Sequence, residues 1–365
     1  MFDAEDCPRL KPHFSLIAHS ENIVELRSGV WNPVSVTLKD HSNQGKLLEA
    51  LRRLDGQTTL KQLARELDVP EQDLLQICTS LDEFGALERG PTTVLDYYIA
   101  LLATSLARPS TPQSALRTKQ PEPILVLGHG ELAQRVLHEL QASLDSPVSL
   151  VEETALLQEL SEQDLTAHED GLASMHTAAH FAKWRDHFLV VALDIIDPIL
   201  LRNLNVIATD LGLRWLHSAI DGPFLFIGPT VIPKRTPCYA CFESRVGLNL
   251  REHASYVAYK QALVASKVQP GRPVLPHPLY SLAASLTALE ALNNVLTGSA
   301  FTAGKVLSLY LPTMEFAFNE ILRLPNCRIC VPRTERYQKP LYFDTRAYIN
   351  QIQLHLEEHP HARRQ

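Results

Sequence analysis

Two Cys-x-x-Cys pairs constrain this chain more than any other feature. Cys238 and Cys241 lie in "TPCYACFESR" and Cys327 and Cys330 in "LPNCRIC", with residues 242–326 between them. They are four of only six cysteines in 365 residues. Each pair offers two thiolates on one tight turn, and four thiolates complete a tetrahedral zinc shell with no position left open for catalysis. Buried or redox-active thiols are the alternative. A redox motif needs only one pair, so the second pair favours metal. A closed four-cysteine site is structural: it staples distant segments and adds folding free energy.

The zinc reading presumes reduced thiols. The opening "MFDAEDCPRLKPHF" has no basic stretch followed by an apolar run, so no secretory signal is visible. The most apolar segment, "FLVVALDIIDPILL", is interrupted by Asp194, Asp197 and Pro198 and is too short to span a bilayer. A cytoplasmic location is therefore expected, with no membrane partner. The net charge of -7 argues against a nucleic-acid partner, which needs clustered positive charge.

Composition divides the chain, which is long enough for more than one domain. Residues 8–95 form a first block. "SLIAH", "IVELRSG" and "NPVSVTL" read as short strands. "NQGKLLEALRRL", "TTLKQLARELD" and "PEQDLLQICTSLDEFG" read as helices, with leucines at helical spacing and Thr, Pro and Gly at their ends. Three short helices with strands predict a winged helix-turn-helix unit. Its second and third helices carry an acidic surplus (Glu66, Asp68, Glu71, Asp73, Asp82, Glu83), a poor match to a phosphate backbone. A packing domain without a ligand remains one reading. Peptide binding by strand addition beside "NPVSVTL" is another.

Residues 96–122, rich in Pro, Ser and Thr, read as a linker. Residues 123–335 form an α/β domain. "PILVLGHGELAQRVLHELQ" runs an apolar strand into Gly128-His129-Gly130 and then a helix. Such glycines let a phosphate approach a helix N-terminus, though the same pattern also makes a plain strand-to-helix turn. A second strand ends in Glu152, where an acidic group meets a ribose hydroxyl, and a third ends in Asp194. Further strands are expected at "RWLHSAID", "PFLFIGPTVIP" and "AGKVLSLYLPTMEFAFNEIL", and a long helix at "PLYSLAASLTALEALNNVLTG". His277 has no partner visible at ligand spacing and reads as structural. Residues 336–365 form a polar tail.

The order of these features resembles the ThiF/MoeB superfamily, the ubiquitin-activating type of adenylating fold, of doubly wound Rossmann type. "CPRLKPH", "VELRSG", "LRWLHSAIDGPFLFIGPTVIPKRTPCYACFESR" and "HPLYSLAASLTALEALNNVLTG" are closer to one branch, the leader-peptide-binding proteins of azole-modified peptide biosynthesis. The resemblance covers nearly the whole chain. It implies that the first block takes the leader of a ribosomal precursor peptide as an added strand between its third strand and third helix. The candidate contacts are Val34, Val36, Leu74, Ile77, Cys78, Leu81 and Phe84, each of which also reads as plain core. It further implies ATP and magnesium at Gly128, Gly130, Glu152 and Asp194, structural zinc on the four cysteines, and a homodimer.

Active members of the superfamily also use an arginine after the second strand. Here "TALLQELSEQ" supplies none, and the crossover to Asp194 is short. Lys183 and Arg185 are the substitutes available, so the catalytic candidates are Asp194, Lys183 and Arg185. Two functions follow. In the first, the chain is a scaffold that captures the leader and presents the core peptide to a separate YcaO cyclodehydratase forming azolines. The missing arginine favours it. In the second, the chain is itself an ATP-dependent enzyme that activates a carboxylate or amide of the bound peptide, as pantocin and microcin C enzymes do. The glycine loop with its two acidic positions favours that.

Overall fold

The computed structural model describes residues 2–31, 34–41, 44–88, 93–99, 122–151, 153–162, 165, 179–269, 271 and 275–331. The chain falls into two compact units, Met1–Leu101 and Leu102–Gln365.

In the first unit, β2 (Ser15–Ser20), β3 (Ile23–Ser28) and β4 (Val34–Lys39) form an antiparallel sheet in the order β2-β3-β4. Alternation along β3 turns Val24 and Leu26 inward, both fully buried. Three helices cover that face: α1 (Leu47–Arg52), α2 (Leu60–Leu67) and α3 (Glu71–Glu83). Their periodic leucines make the core, with Leu51, Leu60, Leu63 and Leu81 at 1% exposure or less. The helix ends follow local chemistry. Thr59 Oγ1 accepts the Gln62 N–H at 3.2 Å, and α2 stops at Asp68 in a left-handed conformation (φ 50°). Pro70 then opens α3. One pairing has no local signature: β1 (Arg9–Leu10) bonds antiparallel to β5 (Leu87–Glu88). Residues 94–99 are helical, so helix continues past residue 95, where composition begins a linker.

The second unit is built on a seven-stranded sheet ordered β12-β11-β10-β9-β8-β6-β7. Its strands are β6 (Ile124–Leu127), β7 (Val148–Leu150), β8 (Phe188–Leu193), β9 (Trp215–Asp221), β10 (Phe224–Val231), β11 (Lys305–Tyr310) and β12 (Glu315–Glu320). The run β7-β6-β8-β9 is parallel, and β10, β11 and β12 continue it antiparallel. Every residue of β8 is buried, as expected of a central strand covered on both faces. On one face α4 (Glu131–Ser143) packs with α9 (His277–Thr297). A second layer joins α5 (Thr154–Glu162), α6 (Pro198–Leu211), α7 (Tyr239–Asn249) and α8 (His253–Val264). β9 shows both faces: Ser218 accepts a hydrogen bond from Thr287 of α9 at 2.7 Å, while Trp215 and Ala219 join the core beside Tyr239 of α7.

After β6 the chain turns one way to β7, then crosses back to place β8 on the other side. The strand order therefore reverses between β6 and β8, where sheets of this kind open a crevice at their carboxyl ends. Among the described residues, no helix is long and apolar enough to cross a membrane.

Candidate functional site

Three places bring predicted residues together. The first is the cysteine cluster. Cys238 is the N-cap of α7 and Cys241 lies in its first turn, whereas Cys327 and Cys330 follow β12. The four sulfurs lie within 4.8 Å of one another. Cys238 to Cys241 is 3.9 Å, Cys238 to Cys327 is 3.6 Å and Cys241 to Cys330 is 3.6 Å. Four sulfurs about 2.3 Å from a central zinc sit about 3.8 Å apart, so the set fits a tetrahedral ion. Three of the four are buried, and the Leu324 N–H points at Cys241 Sγ (3.4 Å), as donors around metal thiolates do. The helix end favours negative sulfur. Hydrogen bonding among the four sulfurs divides them, holding the Cys241 and Cys327 thiols below their ordinary range and Cys238 and Cys330 above it. These four residues can hold a metal ion and are compatible with structural zinc.

The second place is the crevice at the strand reversal. Gly128 follows β6, and its φ of 148° and a neighbouring carbonyl demand glycine: a Cβ here would lie 2.0 Å from the Ala192 oxygen of β8. Asp194, just past β8, reaches across to the start of α4, where its carboxylate accepts the Glu131 N–H (3.0 Å) and the Leu132 N–H (2.8 Å). Three residues on, Asp197 caps its own helix by accepting from Ile199 and Leu200, both at 3.0 Å, with Pro198 at the first position of α6. Burial pushes the Asp197 and Asp221 carboxyls and the Tyr259 phenol upward.

Residues without a sequence signal surround the first turn of α4. Arg135, one turn into α4, donates to Glu131 (2.7 Å) and Ser281 (2.7 Å) and meets His277 Nδ1 at 2.6 Å. His277 is thus tied to α4, a link that spacing along the chain does not reveal. The i,i+4 relation of Glu131 and Arg135 was the one available clue. Lys183 lies elsewhere, paired with Glu153 at 2.5 Å and half exposed, beside a cavity of about 790 Å3 flanked by Gln141, Val148, Leu150 and Trp184. Among the described residues, neither Lys183 nor Arg185 bonds to Asp194 or to the glycine loop. Glu152 lies outside the described residues.

The third place is in the first unit. β4 is the end strand of its sheet, so one of its edges has no strand partner among the described residues. Between β4 and α3 lies a groove of about 360 Å3, lined by Leu38, Lys39, Lys46, Val69, Leu74 and Ile77 among others. Val34 is 60% exposed, while Val36 and Ile77 are half-buried. Leu74 forms the groove's floor at 2% exposure. Cys78 and Leu81, at 1% and 0%, are core side chains that anchor α3 and are not presented to the groove. Phe84 is half-buried against Phe14, ring centroids 5.7 Å apart.

No family model and no curated protein matches this chain. Solved structures do. The heterocyclase TruD superposes over 92% of this chain and 45% of its own, at 21% identity and a TM-score of 0.62. A heterocyclase in complex with substrate and cofactor gives 92% and 41%, at 18% identity and 0.61. MccB of E. coli, in a structure with ATP, gives 89% and 99%, at 14% identity and 0.50. The chain thus spans less than half the length of the two heterocyclases and nearly all of MccB. At these identities the likeness is one of fold.

Proposed function

We propose that this chain binds the leader of a ribosomally made precursor peptide and supports its ATP-dependent modification as the scaffold partner of a YcaO cyclodehydratase that forms azolines. In this reading residues 8–95 are a winged-helix recognition element. Residues 123–335 are a ThiF/MoeB-type domain with a structural zinc, and the chain acts in the cytoplasm as a homodimer. The observation that carries the reading is the groove between the open edge of β4 and α3. An extended peptide pairing with that edge gains main-chain hydrogen bonds, and its alternate side chains fall toward Leu38, Leu74 and Ile77. The fold likeness to a heterocyclase over 92% of the chain adds support.

A second reading is that the chain itself activates a carboxylate or amide of the bound peptide, with ATP and magnesium at Gly128, Gly130, Glu152 and Asp194. It is favoured by the near-complete coverage of MccB, whose structure was solved with ATP. Against it stands the pairing of Lys183 and Arg135 among the described residues. Lys183 is neutralised by Glu153 and Arg135 is engaged by Glu131, whereas phosphoryl and adenylyl transfer need cations to spread the developing charge.

The deciding experiment mixes purified protein, ATP, magnesium and the precursor peptide, and follows AMP or ADP release together with peptide mass. Tight leader binding without turnover is the outcome expected of the scaffold. Turnover with a change in peptide mass would make the chain an autonomous enzyme.

A further inference from the structure

The two glycines of the loop have a use here that involves no nucleotide. Gly128 is required by the Ala192 carbonyl, as described above. Gly130 is required by Asp194: its φ is 114°, and a Cβ there would lie 2.3 Å from Asp194 Oδ2. Both are therefore explained by contacts within the chain. The N–H groups that open α4, those of Glu131 and Leu132, are also the ones a phosphate needs at a helix N-terminus. Both already donate to Asp194. Asp194 is not a local cap. It arrives from the adjacent strand, sixty-odd positions along the chain (|i−j| of 63 and 62), and its turn is pinned on the far side by Asp197 capping α6. Its carboxylate satisfies the same partial positive charge that would attract an anion.

We propose that Asp194 is a resident anion. Its carboxylate occupies the seat at the α4 N-terminus that a polyphosphate would take and so excludes nucleotides from the glycine loop. The inference rests on the scaffold reading and gives it a cause at one residue. A phosphate brought to this helix end meets amides already bonded and a fixed negative charge. Arg135, the cation one turn away, is held by Glu131, Ser281 and His277 and does not offset that charge.

The test uses the full chain loaded with zinc. Calorimetric titrations with ATP and with inorganic pyrophosphate, each with and without magnesium, compare the unmodified protein with Asp194→Ala and Asp194→Asn. The unmodified protein is expected to bind neither anion. Asp194→Ala is expected to gain pyrophosphate affinity by at least about tenfold, with Asp194→Asn, which removes the charge but keeps the shape, in between. Hydrogen exchange at the Glu131 and Leu132 amides should quicken in Asp194→Ala and slow again on adding pyrophosphate. Binding of magnesium–ATP by the unmodified protein that is lost in Asp194→Ala would make Asp194 a ligand for the nucleotide's metal and overturn the proposal. A folded Asp194→Asn that gains no anion affinity would overturn it too. Leader binding is titrated in the same samples. Its absence in the unmodified protein would sink the leader reading without touching Asp194, and its presence beside a failed Asp194 test would leave that reading intact.

Discussion

Identical side chains acquire different chemistries from their surroundings. Of the six cysteines, four form the cluster, while Cys78 lies in the core of the first unit, where burial pushes its thiol up to about 12. Cys7 is half-buried, its sulfur 3.6 Å from the Gln57 carbonyl. A thiol reagent applied to the zinc-loaded protein should therefore modify one cysteine per chain, Cys7. A strong chelator should release four more, and Cys78 should react only after unfolding. Rapid labelling of Cys78 in the native protein would contradict its burial. Cys327→Ser should abolish zinc retention and lower the melting temperature, because a closed metal site contributes directly to folding. His217 offers a pH signature. It is wholly enclosed, with Nδ1 2.9 Å from the Gly228 carbonyl, and burial pulls its value from 6.5 down to about 4. Between those values the unfolded chain binds the extra proton, so stability is full above about 6.5 and falls as pH drops toward about 4. The slope is about 1.4 kcal/mol per pH unit. His217→Gln should flatten this part of a melting-temperature profile, and an unchanged slope would assign the titration to another group.

Among elements, the periodic ones were legible. Leucine spacing places α1, α2 and α3, and alternation places β3 and β4, because burial of one face imposes a period that a local window displays. The β1–β5 pair was not legible. Two residues carry no period, and each strand exists only because its partner arrives from the far end of the unit. The α7 and α8 helices also escaped, as α8 has no buried residue to mark a face. The same distinction sorts the candidate contacts of the leader. Helical spacing puts Leu74, Ile77, Cys78 and Leu81 on α3 but leaves open which of them meet the core and which the groove. If β4 and α3 hold a strand between them, Ile77→Asp should weaken leader binding by at least about tenfold in an anisotropy titration, because a carboxylate would be buried without a partner. The unit should still fold, Ile77 being half-buried. Unchanged affinity would move the binding surface away from this face.

At the scale of the molecule, the groove and the cysteine cluster belong to different compact units. If the cluster holds zinc and the groove takes the leader, chelation should lower the melting temperature of the unit Leu102–Gln365 while leaving leader affinity unaltered. Joint loss of both would show that the two units fold as one. The sequence by itself marked the four-cysteine set: two distant Cys-x-x-Cys pairs supply the ligand type and number of a tetrahedral site, and the chemistry of the ligands requires no knowledge of the fold. It also determined an α/β unit, a glycine turn between β6 and α4, and an acidic residue after β8. Only the tertiary structure decided what those last two do together. Gly130 and Asp194 lie far apart along the chain, and the strand reversal brings the carboxylate onto the helix end that the glycines expose. A glycine motif records that something must approach closely. Whether that is a phosphate or the chain's own aspartate depends on the pairing of β6 with β8, a long-range contact that no local pattern encodes.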